Sequence, residues 1–424
     1  MTTIRTPTAA LGTVEPPLPR EKSSVAVPAT HAKPARLGSL DAYRGAIMLF
    51  MASGGLALPS AAKHFPDSPL WSFLAFNTEH VEWVGCSLWD LIQPSFMFMV
   101  GVAMPYSIAG RRAKGETEIR IAGHVLYRAL FLVLLAIFLT SNWSKQTDFV
   151  FTNVLAQIGL GYAFLYPLLG RGMRLQATVL ASILLGYWLF FLLWPAPNPD
   201  LSAYAPGSPS WFAHWNKNAN AASAFDVWYL NLFPRPKPFD FNDGGYQTLN
   251  FVPSLATMIL GSMAGEMLRR PHGNRFKLGW LAAAAALCLA LGWLSGFYLC
   301  PIVKRIWTPS WVLFSGGWTF AMLAGFFWLI DMQGWRRWAF PFVVVGTNSI
   351  AMYCMAQLMK GWIRSSLQIH LGPFVLPTLK QFPLSVDPLR LIDTFGPVVQ
   401  SAVVLLVLWS ICLWMYRRDI FLRI

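Results

Sequence analysis

Ten apolar stretches, nearly all long enough to cross a bilayer, constrain this chain more than any other feature. They run approximately over residues 42–59, 88–109, 125–141, 152–169, 176–194, 251–268, 279–300, 309–330, 339–358 and 396–416. A hydrocarbon core about 30 Å thick needs roughly 20 helical residues to span it. Backbone groups inside that core must be satisfied within the segment, so each crossing is expected to be an α-helix. Runs such as Ala129 to Thr140 are continuously apolar, unlike the alternating ten-residue segments of an outer-membrane barrel. The expected fold is therefore all-α, a polytopic membrane bundle of about ten transmembrane helices.

Composition agrees, with 55% hydrophobic and 12% charged residues, against about 25% charged in an average soluble domain. The net charge of +14 is explained by where it falls. With the N-terminus assigned to the cytoplasm, the cytoplasmic side collects 20 Lys and Arg in its tails and short loops, and the opposite side collects 11. Short, charge-dense loops are the ones that set orientation. Both termini are expected in the cytoplasm, and the basic excess needs anionic lipid headgroups rather than nucleic acid.

Residues 1–36 are rich in Pro, Ala, Thr and charge, lack the apolar core of a secretory signal, and read as a disordered cytoplasmic tail. Residues 37–424 form the transmembrane domain. The five cysteines (Cys86, Cys288, Cys300, Cys354, Cys412) show no paired spacing, so neither a disulfide framework nor a metal site is expected. No repeat of 20–50 residues stands out. Three long outside loops, 60–87, 195–250 and 359–395, place most of the non-helical chain on one face, which is where recognition is expected.

Ionisable groups at bilayer depth are expensive and are functional candidates. Asp41 and Arg44, three apart in Ser39-Leu40-Asp41-Ala42-Tyr43-Arg44-Gly45, share a helical face and can pair, either as an entry clamp or as part of a site. Asp90 precedes Pro94 at the start of the second span, where capping is the plain structural role. Arg128 sits where its side chain can snorkel to the interface. His80 lies in Asn77-Thr78-Glu79-His80-Val81-Glu82-Trp83. It is the side-chain type best suited to proton transfer near neutrality, although most loop histidines are solvated bystanders. Gln247, Asn250 and Ser254, and later Asn348 and Ser349, suit interhelical hydrogen bonding.

Seven motifs in order resemble the transmembrane acyltransferases related to heparan-α-glucosaminide N-acetyltransferase. They are S-L-D-A-Y-R-G at 39–45, H-V-E-W-V-G at 80–85, D-L-I-Q-P-S-F-M-F-M-V-G-V-A-M at 90–104 and V-L-A-Q-I-G-L-G-Y at 154–162. The others are Y-Q-T-L-N-F-V-P-S-L-A-T-M-I-L-G at 246–261, W-T-P-S-W-V-L-F-S-G-G-W at 307–318 and P-F-V-V-V-G-T-N-S-I-A-M-Y at 341–353. The resemblance implies that His80 is catalytic. It also implies that Asp41, Arg44, Asp90, Asn348 and Asn250 line or brace one central cavity, and that Arg128 contacts the donor. Gln357 stands where the family carries a later histidine.

The function so implied is transfer of an acetyl or acyl group from cytosolic acetyl-CoA, as co-substrate, to a saccharide on the non-cytoplasmic side. That saccharide would be an amino sugar, the protein would sit in a bacterial inner membrane, and a homo-oligomer is compatible with the sequence. The competing reading is a transporter or flippase for a glycan or lipid intermediate, to which Pro94, Pro105 and Pro167 would lend broken helices. A scaffold without a small-molecule site fits the polar residues at bilayer depth poorly.

Overall fold

The computed structural model describes residues 37–195, 209–380 and 387–422. The N-terminal tail, residues 1–36, lies outside them. The described residues are helical and contain no strand. Twelve helices organise the account: α1 (Gly38–Ser53), α2 (Ile92–Ala113), α3 (Glu118–Ser141), α4 (Val154–Leu165), α5 (Met173–Leu192), α6 (Phe251–Arg269), α7 (Asn274–Tyr298), α8 (Pro309–Phe326), α9 (Phe340–Gly346), α10 (Ser349–Leu358), α11 (Lys360–His370) and α12 (Pro388–Arg417). Eight helical stretches among the described residues are long and apolar enough to cross a membrane. This is a multi-pass helical membrane protein.

Two of the ten expected spans differ. The fourth is short: α4 starts at Asn153, whose side chain accepts a hydrogen bond from the Ala156 N–H, and closes in a 3-10 turn at Tyr166–Leu168. Twelve residues rise only about 18 Å, so α4 alone cannot cross about 30 Å of hydrocarbon. The ninth is broken, with α9 and α10 meeting at 81°. Asn348 sits at the break in a non-helical conformation, donating to the Ile420 carbonyl (2.9 Å) and accepting from the Leu422 N–H (3.0 Å). The Asn348 side chain thus ties the break to the last described residues of the chain.

The centre of the bundle is the α2–α6 pair, and glycine makes it. A Cβ at Gly101 would collide with the Met258 carbonyl, one at Gly261 with the Phe98 carbonyl, and one at Gly265 with the Val102 carbonyl. Gly261 and Gly265 are four apart on one face of α6, the small-residue spacing that lets membrane helices approach to backbone contact. Gly45 and Gly346 do the same for α1 and α9. By contrast, α3 turns Leu126, Leu130, Leu134 and Phe138 outward, an apolar face suited to lipid.

Two ends of the bundle can be told apart by their loops. At one end Gly85 N–H bonds the Ile302 carbonyl, Arg305 bonds the Gly244 and Val81 carbonyls, and Arg235 bonds the Phe149 carbonyl. At the other, Asp331 accepts from Gly38 N–H and Arg269 donates to the Pro105 carbonyl. Gly261→Val should lower the thermal unfolding temperature of the protein in nanodiscs by an amount equivalent to about 1–3 kcal/mol or more, because the added methyls meet backbone. Gly110→Ala, with open space around Gly110, should leave it unchanged.

Candidate active site

The segment carrying His80 is shaped by an unusual turn. After α1, Gly54, Gly55, Leu56 and Ala57 all adopt positive φ, at 58°, 67°, 51° and 54°. Leu and Ala pay roughly 1–2 kcal/mol each for that conformation. Glycine is required at 55, where a Cβ would press on the Thr78 carbonyl. The turn therefore seats the C-terminal end of the Pro69–Thr78 helix directly before His80.

From there the loop is held by Asp90. The Asp90 carboxylate accepts on Oδ2 from Val81 N–H (3.2 Å), Ser87 N–H (3.2 Å) and Ser87 Oγ–H (3.0 Å). On Oδ1 it meets His80 Nδ1 at 2.7 Å and Lys304 Nζ at 3.3 Å. A carboxylate oxygen can only accept, so Nδ1 carries the ring proton toward Asp90. His80 Nε2 is engaged by no protein group among the described residues.

Lys304 arrives from a distant part of the chain, on the loop between α7 and α8. Thr308 ties that loop by donating to the Pro301 carbonyl (2.8 Å), Asn250 donates to the Arg305 carbonyl (2.8 Å), and Trp307 donates to Thr257 Oγ1 (3.2 Å). Asp90 is 1% exposed and Lys304 4%, whereas the His80 side chain is 38% exposed. A buried charge pair thus lies beside the imidazole, which is by far the most exposed of the three. Burial pushes the Lys304 ammonium down to about 8, against the pull of Asp90. Its Nζ is 3.1 Å from His80 Nδ1; with that nitrogen already donating to Asp90, the approach is repulsive and offset by the shared carboxylate.

The imidazole opens on a cavity of about 520 Å³, within the range of small-molecule sites. His80, Lys304, Tyr246, Asn153, Gln357 and Lys360 are among the residues that line it. Tyr246 places its ring 6.0 Å from Lys304 Nζ and 5.6 Å from the Arg305 guanidinium, a cation–π arrangement. Cys86 is no competing nucleophile: burial, then the Asp90 charge, pushes its thiol up to about 12.

The sequence candidates divide. His80 and Asp90 meet, and Asn250 braces the Lys304 loop. Asp41 and Arg44 approach each other at 3.8 Å near the start of α1, and neither lines the cavity. Asn348 holds the C-terminal segment instead. Arg128 donates to Tyr162 Oη (3.3 Å) and stacks on that ring, with its Nε buried and unpartnered; it too lies outside the cavity wall. Lys304 and Lys360 were not among the candidates. Nothing in their local sequence marks them, although Lys304 adjoins the W-T-P-S-W motif.

The motifs that converge here are those of the resemblance, and comparison with known proteins bears on it directly. Human heparan-alpha-glucosaminide N-acetyltransferase is 24% identical over 373 residues, covering 76% of this chain and 53% of that protein. The mouse protein of the same name is 22% identical over 382 residues, covering 77% of this chain and 54% of that protein. The chain is a distant relative of both. It spans about half the length of these relatives, and no protein-family model matches it.

If the Asp90–Lys304 pair is a mutually compensated buried unit, Lys304→Met should cost about 3–5 kcal/mol by stranding a carboxylate. Lys304→Met with Asp90→Asn should cost less than Lys304→Met alone. Thermal unfolding of the three proteins in nanodiscs reads the coupling.

Proposed function

We propose that this protein is a membrane acyltransferase that moves an acetyl group from acetyl-CoA to a saccharide, with His80 as the catalytic base. The observation that carries this reading is the Asp90–His80 hydrogen bond at the wall of a cavity of substrate size. The two distant relatives, each a heparan-alpha-glucosaminide N-acetyltransferase, support the reaction class. An amino sugar is the acceptor it favours. The distribution of Lys and Arg supports cytoplasmic termini; by the resemblance, the donor enters from the cytoplasm and the acceptor lies on the opposite face, in a bacterial inner membrane.

In this mechanism Asp90 fixes the ring so that Nε2 is the basic atom. The acceptor amine attacks the thioester carbonyl carbon while Nε2 takes its proton. The C–N bond forms, the carbonyl oxygen becomes an oxyanion, and Lys304 supplies the neighbouring positive charge. Collapse breaks the C–S bond, and the proton held on Nε2 passes to the departing thiolate. Because Lys304 neutralises Asp90, the resting site holds a base beside a net-neutral pair, and the imidazolium formed in flight is stabilised by the Asp90 hydrogen bond. Arg128, bound to Tyr162 outside the cavity wall, takes no part in this step.

The competing transporter reading draws on the 81° break between α9 and α10, a feature of alternating-access helices. The two separate cleanly in one assay. Protein in nanodiscs, given radiolabelled acetyl-CoA and a panel of amino sugars, should label a sugar. His80→Ala should lower that rate by about 10²–10⁴-fold. Label transfer at equal rates by both proteins would remove His80 from the chemistry, and no transfer by folded wild type across the panel would favour transport.

The pH dependence has a definite sign. The Lys304 ammonium is held at about 8, so its charge is present below that pH and lost above it. The transfer rate should fall as pH rises through about 8, and Lys304→Arg, whose guanidinium stays charged, should move the fall to higher pH.

A further inference from the structure

The cavity carries one cation more than the His80 centre uses. Lys360, the first residue of α11, lines it together with His80 and Lys304. Among the described residues no Asp or Glu lines the wall, and Asp90 behind it is already shared between His80 and Lys304. Lys360 makes no ion pair or hydrogen bond among the described residues. Burial, and then the like charge of Arg364, press its ammonium below the ordinary lysine range. The left-handed turn makes room for it: a Cβ at Gly54 would displace Lys360 Nζ. A partly desolvated cation without a counter-charge is unfavourable unless something that binds there supplies one.

A second, independent feature of the same wall points the same way. Asn153 caps α4, spending Oδ1 on the Ala156 N–H at 3.0 Å. Its Nδ2 is buried with no partner. Thr152, Asn153 and Val154 all line the cavity, so the positive end of the α4 dipole borders it.

We propose that Lys360 and Asn153 form an oxyanion site, taking a carboxylate, sulfate or phosphate group of a substrate whose reacting end lies at His80. The inference rests on the reading of this cavity as the acyl-transfer site, and it adds a determinant of substrate choice. The oxyanion has two sources, an acid group on the saccharide acceptor or the phosphates of the CoA donor.

Equilibrium binding without turnover tests this and separates the sources. The protein in phosphatidylcholine nanodiscs would be titrated with two pairs of radiolabelled probes, glucosamine against glucosamine 6-sulfate and S-acetylpantetheine against acetyl-CoA. In one pair the anionic probe should bind more tightly, and Lys360→Gln should weaken it about tenfold or more, with the neutral probe unchanged within about twofold. Asn153→Asp, which keeps the cap and replaces the donor by a carboxylate, should act likewise, while Lys360→Arg should preserve the preference. The pair that responds names the source. An anion preference untouched by Lys360→Gln and Asn153→Asp, or no preference in either pair, overturns the proposal. Because binding is read without chemistry, an absence of acetyl transfer would count against the acyltransferase reading and not against this one.

Discussion

A carboxylate that is 1% exposed at the head of a membrane helix is tolerable only if its charge is fully met, and Asp90 organises the surrounding structure by that requirement. Its five close partners come from its own turn, from the His80 loop and from the α7–α8 loop 214 residues away. Remove the cation, and a buried anion remains with only hydrogen-bond donors and a half-exposed ring. Remove the acid, and Lys304 is stranded while His80 loses the bond that sets its tautomer. In the proposed mechanism, stability and chemistry would share the same three side chains, as expected where buried charge is retained for function.

Reaching that geometry has its own cost. Four successive positive-φ residues end α1, two of them without glycine's freedom, and the conformation persists because it seats Thr78 on one side and leaves space for Lys360 on the other. Backbone strain of this kind survives where the surroundings over-determine it. The tightly packed α2–α6 pair is the rigid reference behind it. Gly101, Gly261 and Gly265 bring the two backbones together, so Asp90, at the start of the α2 segment, and Asn250, at the start of α6, arrive at one end of the bundle in fixed relation.

Much of this was legible in the sequence, and the misses have physical reasons. Hydropathy located all eight of the helices among the described residues that are long and apolar enough to cross a membrane, since apolar runs of that length have few alternatives. It could not see that α4 stops after 12 residues, because Asn153 and the Pro167–Gly170 stretch are punctuation inside an apolar run. Nor could it see the break at Asn348, whose side chain bonds a segment more than 70 residues away. His80 and Asp90, ten apart, are a local signal and were both singled out. Lys304 is not local: its significance comes from a loop closure that places it behind the ring. Asp41, Arg44 and Asn348 were grouped with the site by motif, while the folded chain uses them near other helix junctions.

The hydrogen bond from His80 Nδ1 to Asp90 dictates which ring nitrogen is left facing the cavity. Nitrogen-15 NMR of histidine-labelled protein in lipid bilayers at pH about 7.5, with His80→Gln for assignment, measures this directly. The expected result is a hydrogen-bonded N–H at Nδ1 and no proton on Nε2, with the Nδ1 signal displaced in Asp90→Asn. A ring protonated on Nε2 with a bare Nδ1 would contradict it, because the atom assigned as the base would then already hold its proton.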